Sequence, residues 1–112
     1  MTQTLSDRWI TMVPGIRRRT VAVGTQMMQM LVELDSGSHL PEHQHPHEQL
    51  THVLRGRLRL VVAGLPHELV AGQSLCIPGA TPHAADALED TLVIDTFSPP
   101  REDLLAQDRI EG

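Results

Sequence analysis

The sequence predicts an all-β domain whose strands form an antiparallel barrel or sandwich. Short β-compatible runs recur along the chain, and glycine or proline residues separate them. Only one segment has the features of a helix. At 112 residues the chain suits a single domain over residues 1–112, which can bury about two-thirds of its unfolded surface in one core.

Seven runs have the composition and length of strands. In chain order they are Arg19 to Val23, Met27 to Leu34, Leu50 to Arg55, Leu58 to Ala63, His67 to Val70, Ser74 to Ile77 and Thr91 to Phe97. Gly56, Gly64 and Gly72 fall between successive runs and mark the turns that join them. This even spacing of short strands is typical of a barrel or a sandwich.

The single predicted helix follows the last run. The segment Ser98-Pro99-Pro100-Arg101-Glu102-Asp103 supplies a cap residue, early prolines and acids, which together favour a helix start. Leu104 and Leu105 can then pack back on the body of the domain. Residues 1–15 and 108–112 are expected to be peripheral.

The bulk composition argues against several classes of protein. A formal charge of −5 with scattered arginines does not provide the clustered basic face that nucleic-acid binding needs. Residues 1–10 contain no apolar signal region, and no stretch approaches the ~18 apolar residues of a membrane span, so we expect a cytoplasmic protein. The one cysteine, Cys76, cannot form an internal disulfide, and its apolar neighbours predict a core position.

A cluster of histidines predicts a metal site. Five of the seven histidines fall within residues 39–52, namely His39, His43, His45, His47 and His52. His43 and His45 are two residues apart, so on an extended chain they project from one face, and a neighbouring strand must supply His83. These three nitrogens and the amide oxygen of Gln49 would hold a divalent ion and leave positions for water or substrate. The alternative is a solvated histidine-rich loop, but Pro41 and Pro46 stiffen the segment.

The spacing around these histidines resembles the first motif of the cupin superfamily. That motif reads glycine, five residues, His-x-His, three or four residues, an acid, six residues and glycine. Gly37, His43, His45 and Gly56 match it, whereas Gln49 stands at the acid position. The substitution removes one negative charge from the usual ligand set.

A second stretch resembles the other cupin motif, which reads glycine, five residues, Pro-x-Gly, two residues, histidine, three residues and asparagine. Gly72, Pro78 and His83 match, but the second glycine has moved to Gly79 and Ala87 replaces the asparagine. The resemblance covers roughly residues 16–105. It implies a double-stranded β-helix, or jelly-roll barrel, with a short carboxyl-terminal helix, and a homodimer, since dimers are common in this fold.

Further segments narrow the resemblance within that superfamily. The run Val93 to Leu105, together with Gly15 to Arg18 and His43 to Gln49, resembles the small KdgF-type cupins, which linearise unsaturated uronates in pectin and alginate breakdown. In that family three histidines and one glutamine hold the metal, which corresponds here to His43, His45, Gln49 and His83. Manganese, iron, nickel and zinc all accept such a set.

The same resemblance assigns expected roles around the metal. Asp95 would act as the base, and Phe97 would pack against the sugar ring. Arg101, or an arginine from residues 17–19 such as Arg18, would pair with the carboxylate of an anionic sugar. Each has a plain structural alternative: a salt bridge for Asp95, a core position for Phe97, neutralisation of the helix start for Arg101, and a solvated edge strand for residues 17–19.

Three functions therefore compete. The first is a metal-dependent isomerase that opens the ring of 4,5-unsaturated monouronates to give linear keto-deoxyuronates. The second is a mononuclear-metal cupin dioxygenase, although the carboxylate of the usual two-histidine, one-carboxylate iron site is missing. The third is a cupin that binds a sugar or another small ligand without turnover.

Overall fold

The structure, a computed structural model, describes residues 8–111, with side chains described up to residue 109. The strands are β1 Ile10–Val13, β2 Ile16–Val23, β3 Met28–Leu34, β4 His39–His43, β5 Glu48–Arg55, β6 Arg57–Val62, β7 Leu65–Val70, β8 Ser74–Ile77, β9 His83–Ala87 and β10 Thr91–Ser98. The helix α1 spans Glu102–Glu111. No helix in this described part of the chain is long and apolar enough to cross a membrane.

The strands form two antiparallel sheets. The larger sheet has the order β1-β2-β3-β10-β5-β8, and the smaller has the order β4-β9-β6-β7. Strands that are distant in sequence are neighbours in both sheets, as in a jelly roll. The predicted all-β double-stranded β-helix with a short carboxyl-terminal helix is confirmed.

All seven predicted runs overlap strands, with only Met27 and Ala63 outside them, but three strands were not predicted: β1, β4 and β9. The sequence of β4 is His-Leu-Pro-Glu-His and that of β9 is His-Ala-Ala-Asp-Ala, and neither is rich in β-branched residues. They become strands because they pair with each other and because β9 also pairs with β6. Tertiary pairing therefore overrides a weak local preference.

Strand β10 lies between β3 and β5, so its pairing determines which side chains are neighbours inside the barrel. Three rows of side chains cross the sheet there: Met28-Phe97-Gln49, Met30-Asp95-Thr51 and Val32-Val93-Val53. All of these side chains are buried. The polar members occupy only the first two rows, so the polar side chains of these rows lie towards one end of the barrel.

Helix α1 is fixed to the barrel by Arg18, whose side chain is only 1% exposed. The Arg18 guanidinium donates to Asp108 Oδ1 at 3.0 Å, to Gln107 Oε1 at 3.0 Å and to the carbonyl of Leu104 at 3.2 Å. The structure thus differs from two expectations. Arg18 binds the helix and does not line the cavity described below, and Asp108 is not peripheral.

The exposure of Cys76 differs from a further prediction. It is exposed on β8, whereas its neighbour Ile77 is fully buried. Side chains alternate between the two faces of a strand, so an apolar run of three residues cannot place all three inside. The prediction of a core position for Cys76 is wrong.

Replacing Arg18 with methionine should lower the free energy of unfolding by about 3 kcal/mol, because Asp108 on α1 would be left largely buried without its cation. Urea denaturation followed by circular dichroism measures this loss. Arg17→Met is the matched control, since Arg17 bonds Glu33 and Asp35 in a more exposed setting. Equal losses in the two variants would contradict the anchoring role of Arg18.

Candidate metal centre

Three histidines meet at the polar end of the barrel. The ring nitrogens that His43, His45 and His83 offer all lie within 4.8 Å of one another. His43 ends β4 and His83 begins β9, and the two are direct partners in the β4–β9 ladder. The ring centroid of His83 is 4.3 Å from that of His43 and 5.1 Å from that of His45. These three side chains could hold a metal ion.

Backbone carbonyls fix the tautomers of two of these rings. The Nδ1 of His43 is 2.9 Å from the carbonyl oxygen of Pro41, and the Nδ1 of His83 is 2.8 Å from that of Thr81. Because a carbonyl only accepts, each Nδ1 carries the proton and each Nε2 keeps its lone pair. The Nε2 of His83 is buried and has no hydrogen-bond partner. A buried, unpartnered lone pair beside two other imidazoles fits a metal ligand.

His45 and Gln49 form the next part of the site. The Nε2 of His45 lies 3.1 Å from the Oε1 of Gln49, so it donates to this oxygen. Burial, followed by the charges of Arg101 and His83, lowers the pKa of His45 to about 4, and burial lowers the pKa of His83 as well. Both rings are therefore neutral at pH 7, as metal ligation requires. A metal ion bound by both residues would take the place of the proton that His45 Nε2 donates to Gln49 Oε1.

A hydrogen-bond chain runs from this site to a buried carboxylate. The Nε2 of Gln49 donates to Thr51 Oγ1 at 2.9 Å, and the Thr51 hydroxyl donates to Asp95 Oδ1 at 2.7 Å. Asp95 is 8% exposed. Burial raises the pKa of Asp95 to about 6, an effect that the hydrogen bonds from Thr51 and Gln49 oppose. A carboxyl group with this pKa can both accept and return a proton near neutral pH.

Phe97 and Arg101 form the wall beside the histidines. The Phe97 ring meets the His45 ring edge to face at 5.6 Å, and the Arg101 guanidinium carbon lies 5.0 Å from the centroid of Phe97. Arg101 also donates to both carboxylate oxygens of Asp103, at 3.1 and 2.9 Å. The Arg101 side chain is 12% exposed. The positively charged guanidinium group of Arg101 therefore lies at the edge of the site.

A cavity of about 310 Å³ opens onto these groups. Its polar lining includes His43, Gln49, Thr51, His83, Asp95 and Arg101, and its remaining wall is largely apolar. A cavity of this size accommodates a monosaccharide-sized ligand. It presents ligand atoms, a buried carboxyl group and a guanidinium to one small molecule.

The structure brings seven of the eight residues predicted for the site to one region: His43, His45, Gln49, His83, Asp95, Phe97 and Arg101. Arg18 is the exception. The sequence prediction missed Thr51 and Asp103. Thr51 was detectable, because it follows Gln49 by two residues in a strand and so shares its face. Nothing in the sequence indicated that Asp103 pairs with Arg101.

Three other residues lie close to the ligands in sequence: His47, Glu48 and His52. The Nδ1 of His47 is buried and has no hydrogen-bond partner, and its ring centroid lies 5.4 Å from that of His45. Glu48 is exposed. The Nδ1 of His52 lies 2.6 Å from the Ser74 hydroxyl on the outer face of the sheet.

The fold and this histidine site define the class of protein. Residues 30–95 match the cupin domain family, Cupin_2, and the chain belongs to that family. The pectin degradation protein KdgF of Dickeya dadantii (strain 3937) is 29% identical over 99 residues, which cover 87% of this chain and 90% of that protein. The chain is therefore a KdgF-like cupin.

Solved structures agree with this assignment. The KdgF structure from Halomonas sp. has a TM-score of 0.84 and 35% identity, and the match covers 93% of this chain and 99% of that one. An RmlC-like cupin from Shewanella frigidimarina NCIMB 400 has a TM-score of 0.83 and 28% identity, with 92% and 96% of the chains covered. These matches span nearly the whole domain and confirm the cupin fold.

A metal ion that binds the three histidines should stabilise the protein. At a free metal concentration of about 100 times Kd, we expect the free energy of unfolding to rise by about 2.7 kcal/mol. Denaturation with and without Zn²⁺, Ni²⁺ or Mn²⁺ measures this change. His83→Ala should abolish it and His52→Ala should preserve it, whereas an equal response in both variants would place the ion elsewhere.

Proposed function

We propose that this protein is a metal-dependent isomerase that converts 4,5-unsaturated monouronates to linear keto-deoxyuronates. The observation that carries the proposal is the position of Asp95, a buried carboxyl group that lines one small cavity together with His43, His83 and Gln49. The likeness to two KdgF proteins, one of them named for pectin degradation, supports the choice of substrate.

The reaction requires little more than controlled proton movement. A 4,5-unsaturated monouronate is a cyclic hemiacetal with a hydroxyl group on C1. Loss of that hydroxyl proton allows the C1–O5 bond to break, which leaves an aldehyde at C1 and an enolate at C5. Protonation of C4 then gives the ketone, so that substrate and product are isomers and no redox partner is needed.

Asp95 is the group proposed to move the proton. In its ionised form it accepts the proton from the C1 hydroxyl, and in its protonated form it returns the proton towards C4. The Thr51 hydroxyl, which donates to Asp95 Oδ1, fixes the carboxyl group at the cavity wall, where it would meet the substrate. The bond between Thr51 and Gln49 also holds the carboxylate beside the metal ligands.

Binding would be shared between the wall and the ligand site. The buried Phe97 ring offers an apolar surface to one face of the sugar, and Arg101 offers a cation to its carboxylate. His43, His45, Gln49 and His83 would hold one divalent ion of manganese, iron, nickel or zinc. Such an ion, when bound, supplies Lewis-acid stabilisation of developing negative charge.

Asp95→Asn should lower kcat by about 100-fold or more, because the amide cannot take up the proton, while the protein still binds metal. The assay follows the loss of ultraviolet absorbance of the 4,5-unsaturated monouronate released by a pectin or alginate lyase. Asp86→Asn is the matched control, since Asp86 pairs with His39 away from the cavity. An unchanged rate for Asp95→Asn would remove this residue from the mechanism.

Arg101→Met should raise KM by about 10-fold to 100-fold, because the substrate carboxylate loses a charge-assisted hydrogen bond. Initial rates over a range of substrate concentrations separate this effect from kcat. Arg59→Met tests the loss of an exposed arginine elsewhere on the barrel. A KM that does not change in Arg101→Met would show that the substrate carboxylate binds elsewhere.

Two further assays separate the competing functions. Oxygen uptake by the iron-loaded protein would support a dioxygenase, although the neutral ligand set lacks the carboxylate usual for that chemistry. Binding of the unsaturated uronate without turnover, with each of the four metals, would support a ligand-binding protein. Either result, together with unaccelerated loss of ultraviolet absorbance, would reject the isomerase.

A further inference from the structure

The two loops that carry His45 and His83 are joined directly by their backbones. The amide of Ala80 donates to the carbonyl oxygen of His45 at 2.7 Å. The next carbonyl along that loop, of Pro46, faces Gly79. His45 and Pro46 of one loop therefore contact Gly79 and Ala80 of the other. The first loop contains the candidate ligand His45, and the second loop leads into the candidate ligand His83.

Gly79 makes this approach possible because it has no side chain. A Cβ added at residue 79 would lie 2.4 Å from the carbonyl oxygen of Pro46 and 3.3 Å from its carbon. Both are backbone atoms, which cannot rotate away as the end of a long side chain can. Any larger residue at this position must push the two loops apart.

Ala80 is held in an unfavourable conformation at the same contact. Its φ is 58°, in the left-handed region that glycine adopts readily and alanine rarely. The cupin motif has its glycine two residues after the proline, which corresponds to Ala80, whereas this chain has glycine one residue earlier. Ala80 therefore has a strained backbone conformation, and the glycine stands at residue 79, where the two loops are in contact.

The same loop also orients His83. The carbonyl of Thr81, directly after Ala80, accepts the Nδ1 proton of His83 at 2.8 Å. A displacement of residues 79–81 would thus change both the separation of His83 from His45 and the rotation of its ring. The hydrogen bond between His83 Nδ1 and the Thr81 carbonyl therefore links the loop contact to the metal site.

We propose that Gly79 and Ala80 are positioning residues for the metal centre, and that their contact with His45 and Pro46 sets the spacing between His45 and His83. We call this contact the loop clasp. The inference rests on the proposed metal centre, since the clasp acts on its ligands. It predicts that metal affinity depends on residues that do not touch the metal.

The test titrates Co²⁺ into the purified metal-free protein and its variants, because the visible spectrum of Co²⁺ reports both affinity and coordination geometry. Gly79→Ala should weaken Co²⁺ binding by about 10-fold or more and alter the spectrum, as substitutions behind metal ligands commonly do. Gly72→Ala is the matched control. Gly72 has a φ of 91° with nothing within 4 Å of an added Cβ, so this substitution strains a turn away from the clasp.

A series at residue 80 separates backbone conformation from stability. Ala80→Gly and Ala80→Asn keep the amide donor and accept the left-handed conformation, so their Co²⁺ affinity should stay within about twofold of that of the parent. Ala80→Val should lose affinity as Gly79→Ala does, because a β-branched residue strongly resists that conformation. Circular dichroism confirms that each variant is folded.

The outcomes distinguish the clasp from the metal centre itself. A parent protein that binds no Co²⁺, Ni²⁺ or Zn²⁺ would reject both proposals. A parent that binds metal, with Gly79→Ala folded and equal to it in affinity and spectrum, would reject the clasp alone. Equal losses in Gly79→Ala and Gly72→Ala would also reject it, since affinity would then follow general stability. An unfolded Gly79→Ala leaves the series at residue 80 as the deciding measurement.

Discussion

The site depends on the register of β10 between β3 and β5. With a period of two residues, this register places Val93, Asp95 and Phe97 inside the barrel and sets Asp95 opposite Thr51. A slip by one residue would turn all three to the outer face and replace the carboxylate with an uncharged residue. Paired strands on both sides make such a slip costly, because both ladders would have to break together. The chemistry of the cavity therefore rests on backbone pairing across the larger sheet.

The polar end of the interior is stable because its groups satisfy one another. His45, Gln49, Thr51 and Asp95 form one continuous hydrogen-bond chain, while the backbone carbonyls of Pro41 and Thr81 accept from the Nδ1 atoms of His43 and His83. Buried polar groups without partners cost free energy, and three imidazole nitrogens at this end have none: the Nδ1 atoms of His45 and His47 and the Nε2 of His83. The cost at the Nε2 of His83 is the one that a role as metal ligand explains. A bound metal ion would remove that cost and would make the ligand set as complete as the rest of the network.

The sequence predicted the strands with strong local patterns and the residues with fixed spacing. The His-x-His pair, Gln49 and His83 could be assigned because the cupin motifs depend on short sequence intervals, and Asp95 and Phe97 followed from the narrower resemblance. Arg18 could not be placed from sequence, since whether an arginine on a strand faces a cavity or a helix depends on where α1 packs. The strands β4 and β9 were missed for a related reason: their residues have weak strand preference, and only pairing with distant segments makes them extended.

Arg18 and α1 also divide the protein into two parts that can change separately in evolution. The sheets hold the metal ligands and Asp95, whereas the wall at Arg101 leads directly into a helix of 10 residues. That helix is attached through Arg18, which bonds Asp108 and the carbonyl of Leu104, and through the buried side chains of Leu104 and Leu105. Exchange of the carboxyl-terminal segment could thus alter ligand choice while the barrel stays the same. Libraries confined to this segment offer a compact route to new specificities.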